Sequence, residues 1–287
     1  MKDGQGRWET DEAALWAPCV PECGVRTVED MSLAVTWWGH ASTTVELDGL
    51  RVATDPLLVD RLAHLRRYAV SPAPRAAEAD VVLLSHLHAD HTHLPSLRLF
   101  HRSTTVVAAP GAAELVASLG FERVVEARPG TTLELETPDG SRFEVRVLDA
   151  THDGRRLPVP RGTGTAVGFR VAAGGRSFWF PGDTGLREDM RAVDPVDLAL
   201  PPVGGWGPSL GPGHMGPVEA AEAVDRVGAT WAVPVHWGTF WPLGLRRVAP
   251  RRHERLFVTP GGQFRDAVGD RTRALLPEPG ERVLLHT

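Results

Sequence analysis

Long apolar runs are missing from this sequence of 287 residues. No segment approaches the roughly 18 to 20 apolar residues that a membrane-spanning helix needs. The opening residues, MKDGQGRWETDE, also lack the apolar core of a secretory signal. We therefore expect no integral membrane segment and a cytoplasmic location.

Cysteine is almost absent, since the chain has only Cys19 and Cys23. The pair could supply half of a zinc site or close a small disulfide loop. No second cysteine pair exists to complete a metal site. We interpret both as free thiols for that reason.

A strong charge of either sign is absent as well. The formal net charge is −5, which is a poor basis for binding nucleic acid through phosphate neutralisation. Hydrophobic content of 42% and charged content of 23% are ordinary for a globular protein and exclude a disordered or fibrous chain. We expect no nucleic-acid partner, and a homo-oligomer stays open.

The pattern of short apolar runs predicts a layered α/β protein. Residues 1–32 have no clear periodicity and are interpreted as an N-terminal extension, with one domain over residues 33–287. Two helices are predicted, each with an early proline and a closing glycine, over 110–119 and 216–227. Gly, Pro and Asp turns separate the predicted strands, which are 33–37, 43–47, 50–54, 81–84, 105–108, 143–148, 166–171, 177–180, 198–200 and 231–235.

The densest group of metal-binding residue types follows strand 81–84. Its sequence, VVLL, indicates a strand buried on both faces, and SHLHADH begins where that strand must end. In an extended chain His86 and His88 point to the same side, so both imidazoles can bind one ion. Asp90 and His91 come after a turn and would face a second ion. A histidine-rich surface loop is the plainer alternative, but these ligand types on a rigid strand end favour a metal site.

Three further candidates stand just past the ends of other predicted strands. Strands laid side by side with the same edge up would gather them beside the first group. Taken singly, each histidine would more often be an ordinary one, but together they complete a ligand set. They are His152 after strand 143–148, Asp183 after strand 177–180 and His236 after strand 231–235.

The HLHADH segment, residues 86–91, matches the H-x-H-x-D-H signature of the metallo-β-lactamase superfamily. From about Leu33 to the PGE segment at 279–281 the sequence resembles that superfamily. Five segments resemble the branch that contains the N-acyl-phosphatidylethanolamine phospholipase D and the ascorbate-6-phosphate lactonase. They are TWWGHA at 36–41, TDP at 54–56, PGDTG at 181–185, HMGPVEA at 214–220 and VHWGTF at 235–240.

This resemblance implies a four-layer αββα sandwich that holds two divalent metal ions. Zn²⁺ is the first expectation, with Mn²⁺ or iron as alternatives. The ligand assignment it implies is His86, His88 and His152 for the first ion, Asp90, His91 and His236 for the second, and Asp183 as a bridge.

Two such ions, roughly 3.5 to 4 Å apart, can share a water and lower its pKa toward neutrality. The expected activity is cleavage of a phosphodiester, lactone or related ester by a metal-bridged hydroxide, with a small-molecule or lipid-like substrate. Asp90 would also orient the nucleophile. His214 matches a family position that faces the metals and would stabilise the transition state or donate a proton to the leaving group. A helix-capping or surface role is the alternative for His214.

Several residues are expected around the ligands. Asp55 and His40 would fix the orientation of ligating imidazoles, although a structural turn role fits His40 equally well. Four aromatic residues could line an apolar pocket wall or simply pack in the core. They are Trp206, Trp237, Phe240 and Trp241.

Three other functions use the same kind of scaffold. A β-lactamase ranks lower because the chain has no export signal and its flanking motifs resemble the other branch. An iron-dependent redox protein ranks lower because the ligand set is complete and no flavin domain follows. A nucleic-acid processing enzyme ranks lower because of the acidic charge balance and the missing RNA-binding domain.

Overall fold

The structure is a computed structural model that describes residues 33–137, 140–156, 164–205 and 210–286. Cys19, Cys23 and the rest of the predicted extension, residues 1–32, lie outside the described residues, and so does Trp206. The boundary between extension and domain therefore stays a prediction.

The described residues form a first seven-stranded sheet with the order β17-β1-β2-β3-β6-β7-β8. The strands from β17 to β3 pair antiparallel, whereas β3, β6, β7 and β8 run parallel. The strands are β1 Leu33–Gly39, β2 Ser42–Leu47, β3 Leu50–Thr54, β6 Val81–Leu84, β7 Thr105–Ala108, β8 Val124–Glu126 and β17 Arg282–Leu285.

A second seven-stranded sheet has the order β16-β14-β13-β12-β11-β10-β9 within the described ranges. It repeats the arrangement of the first, because β9 to β12 pair antiparallel and β12, β13, β14 and β16 run parallel. The strands are β9 Thr132–Glu136, β10 Arg142–Asp153, β11 Thr165–Ala173, β12 Arg176–Phe180, β13 Leu198–Ala199, β14 Trp231–Ala232 and β16 Arg273–Ala274.

Alternating side chains make these sheets the two inner layers of a sandwich. Val81 and Leu83 of β6 pack with Phe178 and Phe180 of β12 in the core between the sheets. Successive strand residues point to opposite faces, so Leu84 packs outward instead, against the helices of the first sheet. Fully burying each such side chain contributes about 1.5 to 3 kcal/mol to folding.

Helices cover both outer faces. Helices α1 (Leu94–Leu97) and α2 (Ala112–Ala117) bury Leu97 and Val116 on the first sheet. On the second sheet, α3 (Pro217–Val227) and α6 (Pro260–Ala267) pack around Trp179. The layers are therefore α, β, β and α, and the predicted four-layer sandwich is confirmed. Among the helices of the described residues, none is long and apolar enough to cross a membrane.

A small third sheet lies beside the sandwich with the order β15-β5-β4. Its strands are β4 Arg61–Leu62, β5 Leu65–Arg67 and β15 Phe240–Pro242. After β15 come α4 Leu245–Val248, α5 Pro250–His253 and a π-helical turn Glu254–Val258. Two 3₁₀ turns, Pro74–Ala77 and Glu188–Ala192, complete the elements, and the first of them lies in a segment without predicted structure.

The predicted strand bounds need two corrections near the site. Strand β10 runs on to Asp153, so His152 lies near the end of a strand and not after it. The register with β11 shifts between Asp149 and Asp153, and such an irregularity re-aims side chains at the end of a strand. In contrast, the strand predicted over 231–235 is only Trp231–Ala232, followed by a single bridge between Val235 and Pro202.

Candidate metal centre

The loop after β6 carries four of the predicted ligands in a locked conformation. Its chain folds back because the N–H groups of His91 and Thr92 both donate to the carbonyl of His88, at 3.1 and 2.8 Å. The hydroxyl of Thr92 donates to the carbonyl of His86 at 2.6 Å. The imidazoles are thus mounted on a hydrogen-bonded turn directly behind a buried strand, as rigid sites require.

His86, His88 and His152 form a first cluster, in which the candidate ligand atoms lie within 4.8 Å of one another. His152 Nε2 is 3.2 Å from His88 Nδ1. The other nitrogen of His152, Nδ1, donates to the carbonyl of Gly213 at 3.0 Å. That bond leaves the lone pair of His152 Nε2 directed into the cluster.

Two polar atoms beside this cluster are buried without a hydrogen-bond partner among the described residues, His86 Nε2 and Asp183 Oδ1. An unpaired buried polar atom costs about 1 to 3 kcal/mol, so such atoms call for a ligand. An imidazole nitrogen and a carboxylate oxygen are both normal metal donors. Both atoms therefore fit an ion held by the first cluster with Asp183.

Asp90, His91, Asp183 and His236 form a second cluster with the spacing of a coordination shell. His91 Nε2, His236 Nε2 and Asp183 Oδ2 are separated from each other by 3.3 to 3.4 Å. Asp90 Oδ2 lies 3.5 and 3.9 Å from the two imidazole nitrogens. Metal bonds of 2.0 to 2.1 Å in a tetrahedron give donor separations of about 3.3 to 3.4 Å. Charged hydrogen bonds are shorter, near 2.7 to 2.9 Å, so these donors fit a cation better than direct bonds to each other.

Electrostatics in the second cluster favour a bound cation. Burial alone would raise the pKa of Asp183, but His236 and His91 hold that pKa well below its usual range. Burial would likewise raise the pKa of Asp90, which His91 and His40 lower well below the usual range. For His91 burial would lower the pKa, yet Asp183, Asp90 and Asp55 raise it well above 6.5. Surrounded by carboxylates, the site of His91 therefore attracts positive charge.

The first cluster has the opposite balance. Burial lowers the pKa of His86 well below its usual range, and the neighbouring His91 lowers it further. Burial also lowers the pKa of His88, and that of His152 to about 4. These imidazoles are therefore neutral at physiological pH, which is the state that binds metals.

Asp55 connects the two clusters. Its Oδ2 accepts from His91 Nδ1 at 2.6 Å and also from the hydroxyl of Ser85. Because that hydroxyl proton is committed to Asp55, Ser85 Oγ accepts from His86 Nδ1 at 2.9 Å. Asp55 Oδ1 accepts the N–H of Ser85 at 2.8 Å. One buried carboxylate thus directs Nε2 of a ligand in each cluster toward the centre.

His40 is buried beside the second cluster. Its Nε2 lies 3.0 Å from Asp90 Oδ2, and its ring centroid lies 4.2 Å from that of His236. Burial and the nearby His236 lower the pKa of His40 to about 3. A neutral His40 can donate its Nε2 hydrogen to Asp90 and fix that carboxylate.

Three of the five non-glycine residues with left-handed backbone among the described residues belong to the site. His40, Asp55 and His236 have φ of 53°, 32° and 66°, a region that costs such residues about 1 to 2 kcal/mol. The surrounding bonds hold them, since the N–H of His236 donates to the carbonyl of His40 at 2.9 Å and the N–H of His40 donates to Thr239 Oγ1 at 2.7 Å. Strain kept at a site in this way is a mark of function.

His214 lies at the open side of the centre. Its Nε2 is 3.5 Å from Asp183 Oδ2, and its side chain is 21% exposed where that of Asp183 is 3% exposed. Its ring meets that of His152 edge-on at 4.8 Å. The structure therefore brings His214, like the seven predicted ligands, His40 and Asp55, to one place. The roles of all these residues stay predictions.

The predicted aromatic residues divide between core and pocket. Trp237 stacks on Trp37 at 5.6 Å, while Phe240 and Trp241 are buried. A pocket that reaches His40 and His236 is lined by Trp237, Phe240 and Trp241. Sequence reasoning missed Ser85 and Thr239, although both stand within predicted motifs beside a candidate ligand. It also missed Arg67, which no local pattern marks. This buried guanidinium donates to the carbonyls of Trp38, Leu57 and Val59 at 2.8, 2.7 and 3.0 Å, and so supports the turn before His40.

Comparison with known proteins gives matches over most of the chain. The signature described as the β-lactamase superfamily domain matches residues 50–237. A UPF0173 metal-dependent hydrolase of Methanopyrus kandleri is 32% identical over 218 residues, which are 74% of this chain and 86% of that protein. The N-acyl-phosphatidylethanolamine-hydrolyzing phospholipase D 1 of Caenorhabditis elegans is 28% identical over 239 residues, 75% of this chain and 66% of that protein.

Among solved structures, Igni18, a metallo hydrolase from the archaeon Ignicoccus hospitalis, has the same fold. The TM-score is 0.66 at 20% identity, and the match covers 89% of this chain and 99% of Igni18. At this identity the likeness concerns the fold alone.

Proposed function

The chain belongs to the metallo-β-lactamase superfamily, and on that basis we propose that it is a metal-dependent hydrolase with two divalent cations that cleaves a phosphodiester, a lactone or a related ester. The observation that carries the proposal is the second cluster. Its donors are spaced at 3.3 to 3.9 Å around a common point, close to the edges of about 3.3 to 3.4 Å expected for a tetrahedral site.

In this proposal the first ion is held by His86, His88 and His152, the second by Asp90, His91 and His236, with Asp183 between them. Both oxygens of Asp183 support this, since Oδ2 faces the second cluster and the buried Oδ1 has no partner among the described residues. Bound there, the ions supply Lewis acidity toward the substrate and activate water. Zn²⁺ is our first choice because the donors are mainly imidazoles.

Two side chains of this chain are proposed to act on the reacting groups. Asp90 is fixed through Oδ2 by His40, and its side chain is 11% exposed, so it is proposed to orient a water molecule. His214 stands on the exposed side of Asp183, within reach of a leaving group that enters from solvent. It is proposed to donate a proton to that leaving group or to stabilise the developing negative charge.

A small cavity of about 20 Å³ with an apolar wall lies beside the centre. The residues of this wall are next to His40 and His236, and they are Trp237, Phe240, Trp241, Leu256 and Phe257. The worm relative is named for hydrolysing a lipid phosphodiester. We therefore place a phosphodiester first and a lactone second for this chain. A β-lactam amide and iron redox chemistry are the other readings that the experiment must separate.

The test combines elemental analysis with a substrate panel. Protein purified without added metal should contain two zinc or manganese ions per chain and should turn over a chromogenic phosphodiester or a lactone. Preference for a cephalosporin would replace the ester proposal with amide hydrolysis. Iron together with oxygen-dependent turnover would overturn hydrolysis.

Asp183→Asn is the decisive variant, and we expect it to lose metal and activity together. Asp197→Asn is its matched control. Asp183 follows the C-terminal end of β12, whereas Asp197 accepts from the N–H of Ser177, at the N-terminal end of β12, at 2.8 Å. His214→Gln should keep its metal and lose turnover. His101→Gln changes an exposed histidine and should keep both. Survival of activity in Asp183→Asn would disprove the bridging role.

A further inference from the structure

An arginine-rich surface lies beside the third sheet. We define the arginine surface as the exposed side chains of Arg61, Arg66 and Tyr68 together with residues 243–252. The parts are neighbours because β15 pairs with β5, with Trp241 opposite Arg66, and the N–H of Leu243 donates to the carbonyl of His64 at 3.3 Å. Tyr68, Leu243, Arg246 and Arg247 line one groove.

The charge of this surface opposes that of the whole chain. The segment 243–252, LGLRRVAPRR, has four arginines and no acidic residue, whereas the chain has a net charge of −5. Arg61 and Arg66 also stand directly opposite each other in the β4–β5 register, an arrangement that like charges disfavour.

None of these six arginines forms an ion pair with a carboxylate of the described residues. Several exposed arginines elsewhere have such partners, for example Arg282 with Glu46 at 2.7 Å and Arg128 with Glu126 at 2.8 Å. Unpaired cations gathered on one face repel each other. They are a natural counterpart for an extended anionic partner.

Exposed apolar side chains stand among these cations. Leu243 is 64% exposed, Val248 is 78% exposed and Tyr68 is 40% exposed. Segments that lie in the interface of an anionic bilayer combine basic side chains, which attract the lipid phosphates, with apolar side chains that enter the headgroup region. A nucleic acid would pair with the arginines but offers few partners to a leucine and a valine, so the apolar residues favour a lipid surface.

Aromatic packing connects this surface to the candidate metal centre. Trp241 meets His253 edge-on at 5.2 Å, and Tyr68 meets Phe257 edge-on at 6.0 Å. At the other end of β15, the ring of Phe240 lies 6.1 Å from that of His40. The arginine surface thus adjoins the wall of the pocket that reaches the centre.

We propose that the arginine surface docks the protein on the face of an anionic lipid bilayer, with the arginines on lipid phosphates and with Leu243 and Val248 inserted among the headgroups. Docking in this way needs no spanning helix. It concerns a surface away from the metal ligands and does not depend on the substrate assigned above.

Vesicle co-sedimentation of the full chain tests the proposal. Binding is compared on vesicles of phosphatidylcholine alone and of phosphatidylcholine with phosphatidylglycerol, at low and high salt. We expect binding only to the anionic vesicles, and weaker binding at high salt because the Debye length falls from about 10 Å at 0.1 M to about 3 Å at 1 M.

Matched variants separate the arginine surface from general charge. R246Q/R247Q/R251Q/R252Q should lose roughly 700-fold in vesicle binding, given about 1 kcal/mol for each of the four arginines and about tenfold for every 1.4 kcal/mol. R98Q/R128Q/R142Q/R191Q makes the same change in net charge on other exposed surfaces and should lose little.

The apolar contribution has its own pair of variants. L243S/V248S should lose roughly tenfold, whereas L99S/V218S, with exposures of 61% and 70%, should not. Circular dichroism and thermal melting check that every variant is folded.

Three results would overturn the proposal. They are equal binding to neutral vesicles, retained binding in the arginine variant, and equal loss in the two quadruple variants. A labelled single-stranded RNA serves as a second probe. If the RNA binds and the vesicles do not, the surface is a nucleic-acid surface and lipid docking is wrong.

Discussion

Replacing Asp55 by asparagine should weaken both metal sites although Asp55 is a ligand in neither. Its Oδ2 accepts from His91 Nδ1 at 2.6 Å and from Ser85 Oγ, which in turn holds His86. An asparagine amide in that place donates where the carboxylate accepts. His91 would then accept at Nδ1 and carry its proton on Nε2, the nitrogen that faces the second cluster.

The size of the effect follows from the usual loss for such outer partners. Removing one costs about 10- to 100-fold in metal affinity, which is roughly 1.4 to 2.7 kcal/mol. Because Asp55 supports one ligand of each cluster, we expect this loss at both ions. Ser85→Ala removes the hydroxyl that accepts from His86 and donates to Asp55. It leaves the bond between His91 and Asp55 in place and should weaken the first cluster more than the second.

Competition with a chromogenic zinc chelator measures the two affinities. Asp80→Asn is the matched control, because Asp80 lies just before β6, at the end opposite the ligand loop, and accepts from Arg51 N at 2.8 Å. Unchanged affinities in Asp55→Asn would refute the reasoning. Equal loss of affinity for both ions in Ser85→Ala would show that Asp55 does not support the two clusters independently.

Three further outcomes follow from the structure. Gly182→Ala places a methyl group 2.5 Å from Ser85 Cβ at a φ of 62° and should cost more than about 1 to 3 kcal/mol in urea unfolding. Gly175→Ala, with φ of 80° and open space around it, should cost only the backbone strain of about 1 kcal/mol. Equal losses of unfolding free energy in the two variants would show that the methyl group at Gly182 does not clash with Ser85. Burial would lower the pKa of His91, but the surrounding carboxylates raise it, whereas burial lowers the pKa of His86 and His152. Protons should therefore displace the second ion before the first as the pH is lowered. Elemental analysis after dialysis checks that order, and loss of the first ion before the second would contradict it. Arg67→Lys should lose at least two of the three hydrogen bonds to backbone carbonyls and lower the free energy of unfolding by roughly 2 to 4 kcal/mol. An unchanged denaturation midpoint would show that these hydrogen bonds contribute little.

The sequence predicted the parts of the site that depend on strand ends. The run VVLL before His86 and the alternation before His152 are local patterns that a buried strand must show. Many such runs predict a layered α/β protein, whereas the four-layer sandwich was predicted from the resemblance to the superfamily. Asp183 could be placed for the same reason, because it is the third residue after the buried strand Arg176–Phe180.

Other features depend on contacts that no local pattern records. Strands β13, β14 and β16 have two residues each, too few for any periodicity to show. The bonds from His40 to Asp90 and from Arg67 to the carbonyl of Trp38 join residues far apart in the chain. The third sheet likewise exists because Phe240–Pro242 meets Leu65–Arg67, and neither segment has the alternation of a half-buried strand.

Each cluster draws its side chains from both halves of the sandwich. His86, His88, Asp90 and His91 follow a strand of one sheet, while His152, Asp183 and His236 belong to the other. An ion bound in either cluster would act as a coordinate cross-link at that rim, in the way a disulfide joins distant segments. The supply of metal would then set the local stability of this edge of the sandwich. Chelation would increase the motion of the edge, while the apolar core between the sheets keeps the sheets together.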